Sequence, residues 1–325
     1  MAGVAPLASA QPFLFPTANH ALLEPGGEER FLVGTVGKPY TTGRFGCVRS
    51  DGHQMHEGLD IKCVQRNRRG EPLDPVLATA DGSVVYINSK SGLSNYGRYI
   101  VLRHHIDGLE IYSLYAHLNE IRSGLKAGTP VKAGEQIGVL GHTSNTHQGI
   151  SKDRAHVHFE IDLLANERFP AWFKATFPGE RNDHGVWNGL NLFGIDPRRI
   201  LLTQTAEGAN FNLAHFLRDQ TELCRVLVRS SNFPWLHRYT GLIRRNPIAE
   251  REGAAAYELA INYNGVPFQL TPRAPSEVRP GPKYQLLSVN EAEEQEHPCR
   301  KLVARSREHW ELAPAGIHLL DLLTY

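Results

Sequence analysis

Residues 154–162, Arg-Ala-His-Val-His-Phe-Glu-Ile-Asp, set two histidines two apart inside an otherwise apolar run and follow them with Glu160. Alternate side chains of a strand share a face, so His156 and His158 point the same way, roughly 7 Å apart along the chain, while Val157 and Phe159 face the other side. One face is suited to chemistry and the other to packing. Imidazoles bind metals or move protons near neutral pH, but a histidine pair at this spacing needs partners before it means either. His56 and Asp60 stand four apart around Gly58 in "MHEGLDIK". If the glycine allows a tight turn, a ring nitrogen and a carboxylate oxygen converge on one ion. Adding one imidazole of the His156/His158 pair gives a His, Asp, His set. Three such ligands leave a fourth position open, the pattern of a catalytic rather than a structural zinc. His117, near the end of a predicted strand in "LYAHLNEI", joins the spare imidazole of the pair beside that position. One can take a proton from water and the other can stabilise a developing oxyanion. Alone, His56 and Asp60 read as a loop ion pair and His117 as a strand-end surface residue; the three elements together read as one site.

The elements that must position these residues are strands. From residue 30 to about 165, short alternating or apolar runs ("GSVVYINS", "YGRYIVLRHH", "LEIYSLYAHL", "QIGVLGH", "HVHFEIDLL") are separated by Gly, Pro, Asn and Asp clusters. That grammar predicts mainly β structure, largely antiparallel with tight turns. The pattern breaks into aromatic-rich loop and short helix after "NERFPAWF", with a domain boundary expected near residue 200. Beyond it the reading is a smaller α+β domain over 201–325. It has a helix in "ANFNLAHFLRDQ", a strand in "ELCRVLVRS", and a hairpin whose Asn264-Gly265 pair predicts a type I′ turn. "PRAPSEVRPGPK" and "NEAEEQEH" are expected to be loops.

At 325 residues the chain has room for two domains, and 41% apolar with 21% charged residues is the balance of an ordinary globular protein. A net charge of +1 provides no global field for nucleic acid or an anionic membrane. No apolar run reaches the roughly 18 residues of a membrane-spanning helix. "ASA" before Gln11 has the form of a signal-peptidase site, although the preceding residues lack a basic start and a full apolar stretch. Four cysteines, none in CxxC spacing, permit disulfides and argue against a four-thiolate zinc site. If the chain is exported, Cys47 and Cys63 bracket the His56 segment closely enough to staple it and Cys224 can pair with Cys299, one of three connectivities that the sequence does not rank.

The string "HEGLDI", "NYGRYIVLRHHIDGLEIYSLYAHL", "LKAGTPVKAGEQIGVLGHT", "HVHFEI" resembles the LytM/lysostaphin-type zinc peptidases of family M23, the glycyl-glycine endopeptidase family, in order and at similar spacing over roughly residues 35–165. The resemblance implies an antiparallel β-sheet or sandwich peptidase core, taken here as a domain over 31–200 after an N-terminal segment 1–30. It implies zinc on His56, Asp60 and His158, with His117 and His156 as the catalytic imidazoles. The implied activity is endopeptidase hydrolysis of bacterial peptidoglycan cross-links by a zinc-bound water, in a periplasmic or secreted protein, with wall or protein partners expected through the C-terminal domain. Two alternatives stand beside this reading: a LytM-type regulator without activity, which would have lost zinc ligands that this chain keeps, and a biotinyl or lipoyl carrier, which would need a lysine at a tight hairpin tip. The chain departs from the family in "TSNTHQGISKDRAHVHFE", a lengthened polar loop expected to border the cleft. His53, His104, His105, His142 and His147 are read as surface or substrate-contact residues, with His53 near enough in sequence to His56 to line the site.

Overall fold

The computed structural model describes residues 11–146, 149–307 and 309–325. The signal-peptidase-like "ASA" and His147 therefore lie outside the described residues. Seven strands form the central antiparallel sheet: β1 (Leu59–Lys62), β2 (Gly82–Asn88), β3 (Tyr99–Ile106), β4 (Leu109–Ala116), β5 (Pro130–Val131), β6 (His156–Leu164) and β7 (Leu192–Ile195). Their order is β7-β6-β4-β3-β2-β5, with β1 paired to β6. Strand β4 occupies one edge of β6, so β1 and β7 share the other, β1 along 156–159 and β7 along 161–164. All nine residues of β6 are buried. Val157, Phe159, Ile161 and Leu163 enter the main apolar core, while His156, His158, Glu160 and Asp162 take the opposite face. Cross-strand register places Asp60 directly opposite His158, which puts their side chains on one face.

His56 arrives from a separate hairpin, Gly46–Arg49 with Gln54–His56. Its turn runs through Ser50, Asp51 and Gly52, all at positive φ. The chain bends at Gly58 as expected, and the glycine has a second role. A Cβ there would lie 2.3 Å from the Phe159 carbonyl oxygen and 2.9 Å from Glu160 Cγ. The bare backbone thus lets the His56–Asp60 segment lie against β6.

The C-terminal region builds a second antiparallel sheet from β8 (Cys224–Val228), β9 (Ala256–Ile261), β10 (Pro267–Arg273) and β11 (Tyr284–Val289), in the order β10-β9-β8-β11. The expected helix is present as Leu213–Arg218. Around residue 200 the chain is helical, Pro197–Glu207, and the apolar core runs unbroken from Phe13 to Leu323. Tyr239 reaches the backbone of Leu164, and Asn264 Nδ2 donates to Gly194 O at 2.7 Å. The N-terminal stretch is anchored at Phe13, which is fully buried and whose backbone bonds Gln204 in both directions.

Three local expectations change. The β9–β10 turn is longer than a two-residue I′ turn: only Gly265 has positive φ, and Asn262 Oδ1 accepts from the N–H groups of Asn264 and Val266. The side chain thereby supplies a turn that backbone torsions would otherwise make. "NEAEEQEH" is helical at Glu291–Glu296, because Asn290 caps it and Glu291, Glu293 and Glu294 sit at its positive end. The disulfide joins Cys47 to Cys299 across 252 residues, and Cys63 and Cys224 are free and buried. Cys63 is held instead by Asp74, whose Oδ2 accepts from its thiol at 2.9 Å.

Candidate functional site

His56 Nε2, Asp60 Oδ1 and His158 Nδ1 lie 3.0–3.1 Å from one another. Three ligands at about 2.0–2.1 Å from a tetrahedral zinc are separated by about 3.3–3.4 Å. The three atoms therefore outline one face of such a tetrahedron, slightly contracted. Tautomers support the same conclusion. His56 Nδ1–H donates to the Arg44 carbonyl at 2.7 Å, and His158 Nε2–H to Glu160 Oε1 at 2.6 Å. With its outer nitrogen so engaged, each imidazole presents its inner nitrogen, His56 Nε2 or His158 Nδ1, to the centre, as an acceptor on the outer nitrogen of a metal-binding histidine requires.

The electrostatics favour a positive charge between these atoms. Burial works against Asp60 ionising, but His56, His156 and Arg49 hold its carboxyl well below the usual range. Arg49 Nη2 donates to Asp60 Oδ2 at 2.5 Å, which leaves Oδ1 for the centre. Burial would lower the pKa of His158, yet hydrogen bonds and charges from Asp60 and Glu160 raise it to about 9. The donor set fits a divalent cation with N/O preference.

His117 and His156 stand beside this triangle. Their rings are 4.8 Å apart, edge to face, and His117 is 5.9 Å from the His158 ring. His156 Nε2 is 3.5 Å from Asp60 Oδ1. Each is tied through Nδ1–H to a backbone carbonyl, His117 to Thr143 at 2.8 Å and His156 to Arg154 at 2.7 Å, so both present an unprotonated Nε2. Burial pushes both pKa values down, that of His117 well below the ordinary value with help from His156 and His158. His117 adopts φ +60°, a conformation that costs a non-glycine residue about 1–3 kcal/mol and concentrates at functional positions.

All five predicted site residues therefore line one cleft of about 750 Å³. Several of its other lining residues escape sequence reading. Tyr96 donates to Glu160 Oε1 at 2.7 Å, so Glu160 accepts from Tyr96 and His158 together. Tyr96 lies in the quoted "NYGRY" run, but nothing local marks its hydroxyl as reaching a residue 64 positions away. Arg49, Arg154, His184 and Arg300 also line the cleft, as does the lengthened loop through Ser144, Asn145 and Ile150. Asp162 is fully buried with neither oxygen hydrogen-bonded among the described residues. Burial and the neighbouring Glu160 charge raise it well above the carboxylate range.

The other histidines separate. His104 is a core residue, fully buried between the Asp81 carbonyl and Ser113 Oγ, because β3 turns it inward. His105 is exposed and near Glu110. His142 faces Glu71 rather than the cleft, and His53 is absent from the cleft lining.

Comparison with known proteins adds a family match over the residues that build the site. Residues 54–169 match the model of peptidase family M23. A Haemophilus influenzae protein described as an uncharacterized metalloprotease is 37% identical over 108 residues, which cover 33% of this chain and 18% of that protein. The chain thus spans under a fifth of that relative. Among solved structures, a zinc-containing peptidase from Vibrio cholerae is 28% identical over 33% of this chain and 26% of its own, with a TM-score of 0.24. The catalytic domain of lysostaphin from Staphylococcus simulans is 22% identical over 49% of this chain and 87% of its own, with a TM-score of 0.30. With the ordered motifs, the His-Asp-His cluster and the family match in agreement, residues 54–169 are a peptidase domain of family M23.

Proposed function

We propose that this chain is a zinc-dependent endopeptidase, with His56, Asp60 and His158 as metal ligands and His117 and His156 as catalytic imidazoles. The observation that carries the reading is the triangle of two inward-facing imidazole nitrogens and a carboxylate oxygen, each 3.0–3.1 Å from the others. When bound, zinc supplies Lewis acidity that polarises the scissile carbonyl and lowers the pKa of water. Arg44 and Glu160 hold the His56 and His158 tautomers, and Arg49 holds Asp60 in place. His117 and His156, kept neutral by burial, offer Nε2 lone pairs to the same small volume. One accepts the proton of the attacking water as its oxygen adds to the carbonyl carbon. Once protonated, an imidazole donates to the developing oxyanion or to the amine as the C–N bond breaks, so the proton lost by water leaves on the amine.

Peptidoglycan cross-links are the proposed substrate, on the strength of the resemblance over residues 35–165. An open cleft whose rim carries exposed Val36, Leu93 and Leu190 suits an extended peptide with aliphatic side chains. A periplasmic or secreted location is proposed alongside, supported by the Cys47–Cys299 disulfide, since such bonds persist in oxidising compartments. The region 201–325 is proposed as a second domain that completes the cleft wall through Arg300 and docks wall or protein partners. The test is zinc content and turnover on isolated sacculi, with fragments identified by mass spectrometry. His56→Ala, Asp60→Ala and His158→Ala lose zinc. His117→Ala and His156→Ala keep zinc and lose about 10²–10⁴-fold in turnover, and their combination costs less than the product of the single losses. Full zinc retention in all three ligand variants, or zinc release by His156→Ala alone, refutes the assignment.

A further inference from the structure

The cleft has a local charge pattern that the near-neutral chain does not predict. Four guanidinium groups line it, from Arg49, Arg154, Arg181 and Arg300, against three carboxylates, from Glu57, Asp60 and Asp183. Three of the four arginines are paired. Arg49 bonds Asp60 at 2.5 Å, Arg181 bonds Asp183 at 2.6 Å, and Arg300 faces Glu57 at 3.4 Å while Asn264 Oδ1 accepts from its Nε at 2.9 Å. Arg154 differs. Its Nε donates to the Gly34 carbonyl at 3.0 Å, and among the described residues no carboxylate bonds its guanidinium. The side chain is half-buried, and burial depresses its pKa.

A partly desolvated guanidinium without a counter-charge is costly unless an anion is supplied. The anion whose charge acts on Arg154 is Asp60, which already serves Arg49 and faces the metal centre. A divalent cation would neutralise Asp60 further and leave both guanidinium groups short of negative charge. Position matters as well. Arg154 is two residues from His156, and its own carbonyl fixes the His156 tautomer. Its Nε anchor leaves the Nη fork available, and that fork matches a carboxylate.

We propose that Arg154 receives a carboxylate of the peptide substrate next to the scissile bond, so that the cleft selects acidic peptides. The carboxylate belongs either to a chain terminus or to an acidic side chain. This inference rests on the peptidase reading for the identity of its ligand as a peptide, and its test is arranged to fail separately. Dansyl-labelled alanyl peptides carrying Glu or Gln, each with a free or an amidated C-terminus, are titrated into the zinc-loaded protein and followed by fluorescence anisotropy and by mass spectrometry. The acid-bearing member of a pair binds about tenfold or more tightly than its neutral counterpart, the scale of a hydrogen bond to a charged group. Discrimination at Glu against Gln identifies a side-chain carboxylate, and discrimination at acid against amide identifies a terminal one. Arg154→Gln brings the ratio toward 1, and Arg154→Lys restores part of it. Equal binding of acidic and neutral peptides by the unmodified protein, or binding of neither, overturns the inference without reference to any variant. An unchanged ratio in a folded Arg154→Gln does so as well. Acid-selective binding without cleavage would instead sink the peptidase reading, and cleavage without acid preference would sink only this inference.

Discussion

Replacing Glu160 with alanine should weaken zinc binding without touching any proposed ligand. Glu160 Oε1 is the acceptor for His158 Nε2–H at 2.6 Å, and both residues are buried. In Glu160→Ala that N–H has two choices. It stays on Nε2 with no acceptor, which costs about 1–3 kcal/mol for a buried donor. Otherwise Nε2 gives up its proton and the remaining one stays on Nδ1, facing Asp60 Oδ1 at 3.0 Å, where it must be expelled before a metal can bind. The smaller of the two penalties sets the loss, so affinity falls by about 10–100-fold, in line with the effect of deleting other such partners. The assay is competition for zinc against a chromophoric chelator at fixed pH, with circular dichroism to check the fold. Tyr96→Phe is the control. It removes the other hydrogen bond to Glu160, 2.7 Å long, but leaves the His158 acceptor in place, and should cost several-fold less. Zinc affinity in a folded Glu160→Ala equal to that of the parent protein would refute the tautomer argument.

Gly58→Ala places a Cβ 2.3 Å from the Phe159 carbonyl, a backbone atom that cannot turn aside. It should cost about 1–3 kcal/mol of stability and lower zinc occupancy; an unchanged thermal midpoint would contradict the close-approach role. The double variant Cys47→Ser/Cys299→Ser opens a closure spanning 252 residues and should lose stability by up to about 5 kcal/mol on the chain-entropy view. Denaturant unfolding with identical midpoints for the two proteins would rule that out. Burial, then the hydrogen bond and charge of Asp74, raise the Cys63 thiol to about 11, and burial raises Cys224 to about 12, so both thiols are neutral at pH 8. Iodoacetamide at pH 8 should therefore label neither in the native protein and both after denaturation; rapid native labelling would refute the buried, protonated assignment.

What could be read from the sequence was governed by local periodicity. The strand alternation that pairs His156 with His158, and the four-residue step from His56 to Asp60, are properties of a few consecutive residues. They survive folding because β1 and β6 are regular. The five cleft residues so marked meet in one place. Arg49, Tyr96 and Arg300 reach the same place through strand order and long-range packing, which leave no trace in their neighbours along the chain. The same holds for the Cys47–Cys299 bond, whose partners meet only once the C-terminal region has docked. His104 misled because alternation shows which residues share a face but not whether that face is covered. The acidic run at 291–296 misled in another way: its composition suggests a solvated loop, while one asparagine at its start makes it a helix.

Of the four imidazoles at the centre, three are oriented by main-chain carbonyls, those of Arg44, Thr143 and Arg154, and only His158 relies on a side chain. A carbonyl belongs to every amino acid. Descendants of this protein can change residue type at positions 44 and 143 without altering which nitrogen of His56 or His117 carries its proton, provided the backbone path is kept. Inheritance of the site thus depends more on the course of three loops than on the letters written in them. Transplanting the five histidine and aspartate side chains onto another scaffold would carry over the ligands but not their protonation pattern. The loops around residues 44, 143 and 154 would have to move with them.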